Sequence, residues 1–412
     1  MTQEPWVFPV AQRLRGVQSS PVRDILAIIA RGEVISFAGG IPDADLFALE
    51  DLQASFAHVL AHQGRRALQY ASTEGEPELR EQAAARVSRE VPSIPEQIQV
   101  TSGSQEGLYL VGQALLDAGD VVLVEHPTYL AAVQAFTLTG ARIIGVPTDE
   151  HGVVPEELER LIAEHRPKFV YLIPTFQNPT GTTMPVPRRH QVAEILLRTG
   201  TVLVEDDPYG LLRFTGAPLA PIAAHPGMAR QSLLLNSLSK IVAPGIRVGW
   251  VRAEGPILRT IAIAKQAVGL QSAVVDQLAA AHYLATCDVD AHVRRAAAVY
   301  QQRRDAMHAG LLQILPPGAS ITSPDGGMFL WARLGHGIDT AELLPLAVEE
   351  GVAFVPGAPF YAHDPDHSTL RLSYVTNTPE VITEGLTRLH RAIQSYQQEH
   401  RISEEPTEIN LR

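Results

Sequence analysis

A chain of 412 residues, 45% hydrophobic and 19% charged, can bury a sizeable core without staples, which excludes a mini-scaffold, a collagen-like repeat and a disordered tail. Its 33 Lys+Arg against 45 Asp+Glu leave a net charge of −12, so a phosphate backbone would be repelled unless positive charge were gathered locally, and nucleic acid is not an expected partner. The lone cysteine, Cys287, can form neither an intrachain disulfide nor a cysteine-rich metal site; it reads as a small buried filler in a protein of the reducing cytoplasm, with no metal expected.

In chain order, the opening MTQEPWVFPV has acid and proline where an export signal needs a basic start and an apolar core. From 98 to 252, short β-branched runs alternate with helical ones: IQVTS, then a helix over 105–116; VVLVEHP, then 129–139; RIIGVP, then 155–165; FVYLIP, then 188–199; and finally TVLVEDDPY, SLLLNS and RVGWV. Apolar runs without polar alternation predict strands buried on both faces, hence an α/β fold with a mostly parallel sheet flanked by helices. Helices are predicted over 256–268, 272–286 and 288–315, and RRAAAVYQQRRD in the last of these reads as a solvated face. No membrane span is expected, because the apolar stretch 261–284 is broken by Lys265, Gln266, Gln271, Asp276 and Gln277. The remainder mixes strands (GMFLWARL, VAFVPG, LRLSYV) with helices over 340–350 and 379–398, the pattern of a second, smaller α+β domain. Periodicity does not decide whether the N-terminal segment joins it.

Four polar clusters fall at predicted strand ends, where open α/β sheets bind ligands. Ser104 and Gln105 in SGSQ open a helix after IQVT and would aim free N–H groups at an anion, although in isolation an ordinary N-cap is the plainer reading. Asn178 lies in TFQNPTG after FVYLIP, where an Asn-Pro turn would suffice. Asp206 and Asp207 end a buried strand and need a cation, a metal or a protonated nitrogen, unless they serve as a helix cap or structural ion pair. Ser237, Ser239 and Lys240 follow SLLLN, with Arg247 seven residues beyond the lysine, an arrangement suited to an amine nucleophile beside a phosphate cradle. Together these groups describe one ligand with a phosphate, an aldehyde that condenses with lysine, and a ring nitrogen held protonated by an aspartate, namely pyridoxal phosphate.

The chain resembles the fold-type I aminotransferases of class I/II, and within them the 2-aminoadipate, kynurenine and aromatic group. The blocks ISFAGGIPDADLF, LQYASTEGEPELR, SGSQEGL, EHPTYL, PTFQNPTG, EDDPYG, NSLSKIVAPGIRVGW, DGGMFLW, VAFVPGAPFY and LRLSY stand in that family's order over nearly the whole length. The resemblance implies that Lys240 is the Schiff-base lysine and proton shuttle, that Asp206 faces the pyridinium nitrogen, and that Tyr209 and Asn178 hold the phenolic oxygen. It implies phosphate contacts from Ser104, Gln105, Ser237, Ser239 and Arg247, ring stacking by Tyr129, and a dimer in which Tyr70 reaches the neighbouring subunit's phosphate. Arg371 in LRLSY alternates with apolar neighbours, which alone says only that it faces away from the buried side; the resemblance makes it the clamp on the substrate carboxylate. Gly40 would bring backbone close to the substrate, and Arg23 would meet a distal carboxylate.

The implied fold is PLP fold-type I, with an N-terminal segment over 1–50 that belongs with the small domain and covers the active site, a large domain over 51–290 and a small one over 291–412. The implied activity is ping-pong transamination between an L-α-amino acid and a 2-oxo acid, usually 2-oxoglutarate, in a cytoplasmic homodimer. A cysteine-conjugate β-lyase is the nearest alternative. A ligand sensor is disfavoured, because ISFAGG begins by Ile35 and leaves no room for a winged-helix domain before it.

Overall fold

The computed structural model describes residues 8–14, 34–335 and 337–400. The predicted apolar runs assemble into one eight-stranded sheet in the order Ile98–Thr101, Gly249–Arg252, Ser232–Ser237, Val202–Asp206, Phe169–Leu172, Val121–His126, Arg142–Asp149, Gly152–Val153. Gly249–Arg252 runs antiparallel to both neighbours and Gly152–Val153 turns back on Arg142–Asp149, while the other pairings are parallel.

Why these runs carry no polar alternation follows from where successive side chains go. Val122, Val124, Tyr171 and Val204 point into one core with Leu108, Val111 and Phe136 of the covering helices. Leu123, Val170, Leu172 and Leu203 point into a second core with Leu158, Ile162, Val192 and Leu196 on the other face. Each fully buried side chain of this size contributes about 1.5–3 kcal/mol. The helix Val186–Thr199 stops at Gly200, whose φ of 67° is the left-handed C-cap that glycine supplies without steric cost.

The second sheet is antiparallel, ordered Ser320–Ile321, Phe329–Arg333, Thr369–Ser373, Val355–Pro356. VAFVPG, read from sequence as one strand, divides: Val352–Ala353 pairs in parallel with Ile35–Ser36, and Val355–Pro356 joins the four-stranded sheet. The N-terminal strand is therefore stitched to the C-terminal part of the chain. Two helices without a sequence expectation, Leu49–Ala67 and Pro77–Val87, pack against Val274–Thr286. Among the described residues, no helix is long and apolar enough to cross a membrane.

Two sequence expectations are corrected here. The RRAAAVYQQRRD segment is not a uniformly solvated face: Arg303 and Arg304 are buried, donating to the carbonyls of Val375 and Pro324, and Arg303 pairs with Asp43 at 2.8 Å. Long guanidinium stems satisfy buried main-chain acceptors there, which a charge count cannot foresee. Cys287 is only partly buried, because it caps Val274–Thr286 just where the chain turns out to the surface.

Candidate active site

The parallel strands all end at one edge of the large sheet. Strand register fixes what meets there: Gly249 lies opposite both Thr101 and Ser237, so the chain before Gly249 runs between the ends of two flanking strands. That places Arg247 between the helix Ser104–Leu115 and the Ser237–Ser239 turn. Its guanidinium donates to the Ser102 carbonyl at 2.8 Å and to Ser239 Oγ at 3.4 Å, and Ser237 Oγ donates to Ser239 Oγ at 2.9 Å. The close approach depends on Gly103: a Cβ there would come within 2.5 Å of the Arg247 guanidinium. Gly103 itself is the N-cap, with φ of 83° and no side-chain cap, so Ser104 is not spent as a cap and the first helical N–H groups face the cradle.

Beside the cradle lies a cavity of about 240 Å³ lined by residues of both sheets. Lys240, Asp206, Tyr209, Asn178, Tyr129, Ser104, Gly40 and Arg371 all border it. Lys240 Nζ donates to the Gly40 carbonyl at 2.8 Å, and burial, helped by the Arg371 and Arg247 charges, pushes its ammonium down to about 8. Asp206 is 1% exposed; its Oδ2 accepts from the Tyr171 hydroxyl at 2.9 Å, while Oδ1 has no hydrogen-bond partner among the described residues. Burial pushes that carboxyl up to about 7 in the absence of a cation. Asn178 Nδ2 lies 3.5 Å from the Tyr209 hydroxyl, and Asn178 Oδ1 accepts from Arg371 at 2.9 Å.

Arg371 is buried, which corrects the alternation reading. Its strand is covered on both faces, and Arg371 sits in mid-sheet between Trp331 and Val355. The guanidinium donates to the Ala38 carbonyl at 3.1 Å and lies 4.2 Å and 5.0 Å from the ring centres of Phe329 and Phe360. Its Nε has no partner, and burial draws its pKa down to about 10. Gly40 faces the same rings: a Cβ there would meet Phe329 at 2.8 Å.

The remaining sequence candidates are placed less centrally. Gln105 is exposed, and its amide donates to the Ala131 carbonyl at 3.2 Å while accepting from the Tyr129 hydroxyl at 3.4 Å. Asp207 turns away from the cavity and accepts from the Gly210 N–H at 2.9 Å. Tyr70 is 78% exposed and does not border the cavity. Arg23 lies outside the described residues. Sequence reasoning missed Tyr171, Phe329, Phe360, Ile41 and the Ala38 carbonyl. Only Tyr171 left a signal, as the one residue with a polar tip in an otherwise apolar strand.

The family profile for aminotransferase class I and II matches residues 33–389. The chain belongs to the class I and II aminotransferases. It is 39% identical over 390 residues to Aromatic-amino-acid aminotransferase 1 of Thermococcus litoralis, covering 93% of each chain. It is also 39% identical to the 2-aminoadipate transaminase of Thermus thermophilus, over 92% of this chain and 94% of that one. Its structure matches Pyrococcus horikoshii kynurenine aminotransferase, solved in complex with PMP, with a TM-score of 0.89 at 37% identity, covering 94% of this chain and 97% of the other. The aminotransferase fold is thus PLP fold-type I, its cofactor is pyridoxal phosphate, and its substrates are an amino acid and a keto acid. The residues of the cavity fit that cofactor: the unpaired Asp206 oxygen suits a protonated ring nitrogen, and the Ser237–Ser239–Arg247 cradle suits a phosphate.

Proposed function

We propose that this aminotransferase exchanges an amino group between an L-α-amino acid and 2-oxoglutarate, with the carboxylate of each held in turn by Arg371. The observation that carries the reading is the convergence of Lys240, Asp206 and Arg371 on one cavity in which Asp206 keeps a buried oxygen unpaired. When bound, pyridoxal phosphate supplies the covalent link to an amine and the electron sink that lets a Cα–H ionise.

Everything else falls to side chains. Lys240, its ammonium lowered to about 8, exists partly as the free amine near neutral pH and can take a proton from Cα and return it two bonds away, beyond the amino nitrogen. Asp206 holds the ring nitrogen protonated; Tyr209 and Asn178 hold the phenolic oxygen; Tyr129 covers the ring. Ser104, Gln105, Ser237, Ser239 and Arg247 bind the phosphate. Arg371, braced by Asn178 and the Ala38 carbonyl, presents its remaining donors to a carboxylate and so orients Cα, while Phe329 and Phe360 keep water from the pair. Gly40 leaves room for the substrate beside those rings.

The walls contributed by Ile41, Leu130, Phe329 and Phe360 favour aromatic, kynurenine or branched-chain donors. A 2-aminoadipate donor needs a second cation, for which Arg23 is the candidate. We further place the enzyme in the cytoplasm as a homodimer, with the exposed Tyr70 reaching the partner's phosphate, and divide the chain into a cover at 1–50, a large domain at 51–290 and a small domain at 291–412.

A single-turnover absorbance assay tests this. Purified holoenzyme is mixed with a panel of L-amino acids while the cofactor's visible band is followed. Loss of the band with one donor class, restored by 2-oxoglutarate, is the expected result. Release of pyruvate from a cysteine conjugate without any acceptor would instead make the enzyme a β-lyase.

A further inference from the structure

A second cavity, of about 130 Å³, lies between the end of helix Pro77–Val87, the strands Ser232–Ser237 and Gly249–Arg252, and the loop after Tyr209. It is distinct from the cofactor cavity, although Pro208 lines both. Of the residues assigned to the cofactor, Ser237 alone also borders it.

Its lining holds polar groups of both kinds. Trp250 is 3% exposed, yet its indole N–H has no acceptor among the described residues. Arg86 has only 14% of its side chain exposed, and its Nε and one terminal nitrogen make no hydrogen bond. The nearest carboxylate, Asp290, stands 3.7 Å from Arg86 and is already engaged by Arg89 at 3.0 Å. Indole and guanidinium can only donate, so together they call for a charged acceptor. Next to Trp250, its partner across the two strands, Asn236 Oδ1 lacks a donor among the described residues, its amide nitrogen being spent on the Asp207 carbonyl at 3.1 Å, and Asp207 and Glu90 also line the cavity. These oxygens accept. Leu211 and Leu219 complete the lining with apolar surface.

We propose that this cavity is a binding site for a zwitterionic α-amino acid with an apolar side chain: carboxylate towards Arg86 and Trp250, ammonium towards Asn236, and side chain on the leucines. Unpaired donors and acceptors at a partly apolar site make such a ligand favourable, because each otherwise forgoes a bond worth about 0.5–1.5 kcal/mol, more where charge is involved. The site stands on its own geometry and does not depend on which donor the enzyme transaminates.

The test uses holoenzyme carrying 5-fluorotryptophan. The chain has three tryptophans, so three fluorine signals are expected, with Trp250 assigned by its loss in Trp250→Phe or, should that variant not fold, by elimination with Trp6→Phe and Trp331→Phe. The probe is α-methyl-L-leucine, which lacks the Cα–H that transamination removes. We expect it to shift the Trp250 signal saturably, to do so equally in Arg371→Ala, and to bind at least tenfold more weakly in Arg86→Gln. The carboxylate-only analogue 4-methylvalerate should bind at least tenfold more weakly than the amino acid. A Trp250 signal unmoved by the probe, or moved alike in Arg86→Gln, overturns the site; equal binding of 4-methylvalerate overturns the assigned class of ligand.

Discussion

Tyr171→Phe isolates one hydrogen bond on which the proposed chemistry depends. Tyr171 is fully buried, and its hydroxyl donates to Asp206 Oδ2 at 2.9 Å. Burial pushes the phenol well above its ordinary range, so it stays a donor at every working pH. Phenylalanine keeps the ring in its packing against Phe136, so little is lost beyond the hydroxyl. A hydrogen bond to a charged acceptor is worth about 1.5–3 kcal/mol, or one to two powers of ten in the balance between ionised and protonated Asp206. Loss of the bond favours the protonated carboxyl, since the bond opposes the burial that raises Asp206. A less strongly ionised Asp206 holds the ring nitrogen's proton less firmly, so kcat should fall about tenfold or more. The KM for the donor should stay within about twofold, because Arg371 and its braces are untouched. Steady-state kinetics at saturating cofactor, with visible circular dichroism to verify occupancy, gives both numbers. A kcat within twofold of the parent enzyme would refute the argument that Tyr171 sustains the charge on Asp206.

Lys240→Ala should keep the fold and lose both the visible cofactor band and turnover, checked by absorbance and far-ultraviolet circular dichroism; normal turnover would remove Lys240 from the mechanism. Arg371→Lys replaces a braced fork by a single ammonium and should raise KM for donor and acceptor alike by about 10–100-fold, the worth of one or two charge-assisted bonds, in a two-substrate kinetic analysis. Gly40→Val should weaken bulky donors more than alanine, because even a Cβ reaches Phe329 at 2.8 Å; comparing kcat/KM for phenylalanine and alanine measures this. Glu125, fully buried and accepting from the Ile173 N–H at 2.9 Å, is pushed up to about 8 by burial. The folded chain therefore holds this proton more tightly than the unfolded chain: its contribution is complete below the ordinary glutamate range and is lost as pH rises towards 8. Glu125→Gln should flatten that decline by up to about 1.4 kcal/mol per pH unit within the window, read from urea midpoints of cofactor-free protein.

The large sheet was legible because burial on both faces writes itself as uninterrupted apolar runs, and the strand-end clusters were legible because the ligand edge gathers the polar residues that interrupt them. What escaped depends on neighbours distant in sequence. Arg371 looks like the outward member of an alternating strand, and only Phe329 and Phe360 make its face an interior. Arg303 and Arg304 look solvated until the carbonyls of Val375 and Pro324 are seen to be their partners. Leu49–Ala67 hides because its buried positions include Ser55 and are diluted by histidine, glutamine and alanine. VAFVPG gave no hint that its two halves belong to different sheets, since pairing partners are not written into a strand's own composition.

The antiparallel strand Gly249–Arg252 makes the proposed covalent anchor and the proposed phosphate clamp two ends of one local excursion, Lys240 on the way out and Arg247 on the way back. Both therefore ride on the same backbone framework, while Gly40, in the loop after Ile35–Ser36, and Arg371, in Thr369–Ser373, lie on segments joined where the Ser373 N–H donates to the Phe37 carbonyl at 2.7 Å. The two frameworks meet at two hydrogen bonds, from Lys240 to the Gly40 carbonyl and from Arg371 to Asn178, so a substitution at either point is felt on both sides. A new substrate is therefore acquired most cheaply at walls that take no part in those two contacts, such as Ile41 and Leu130.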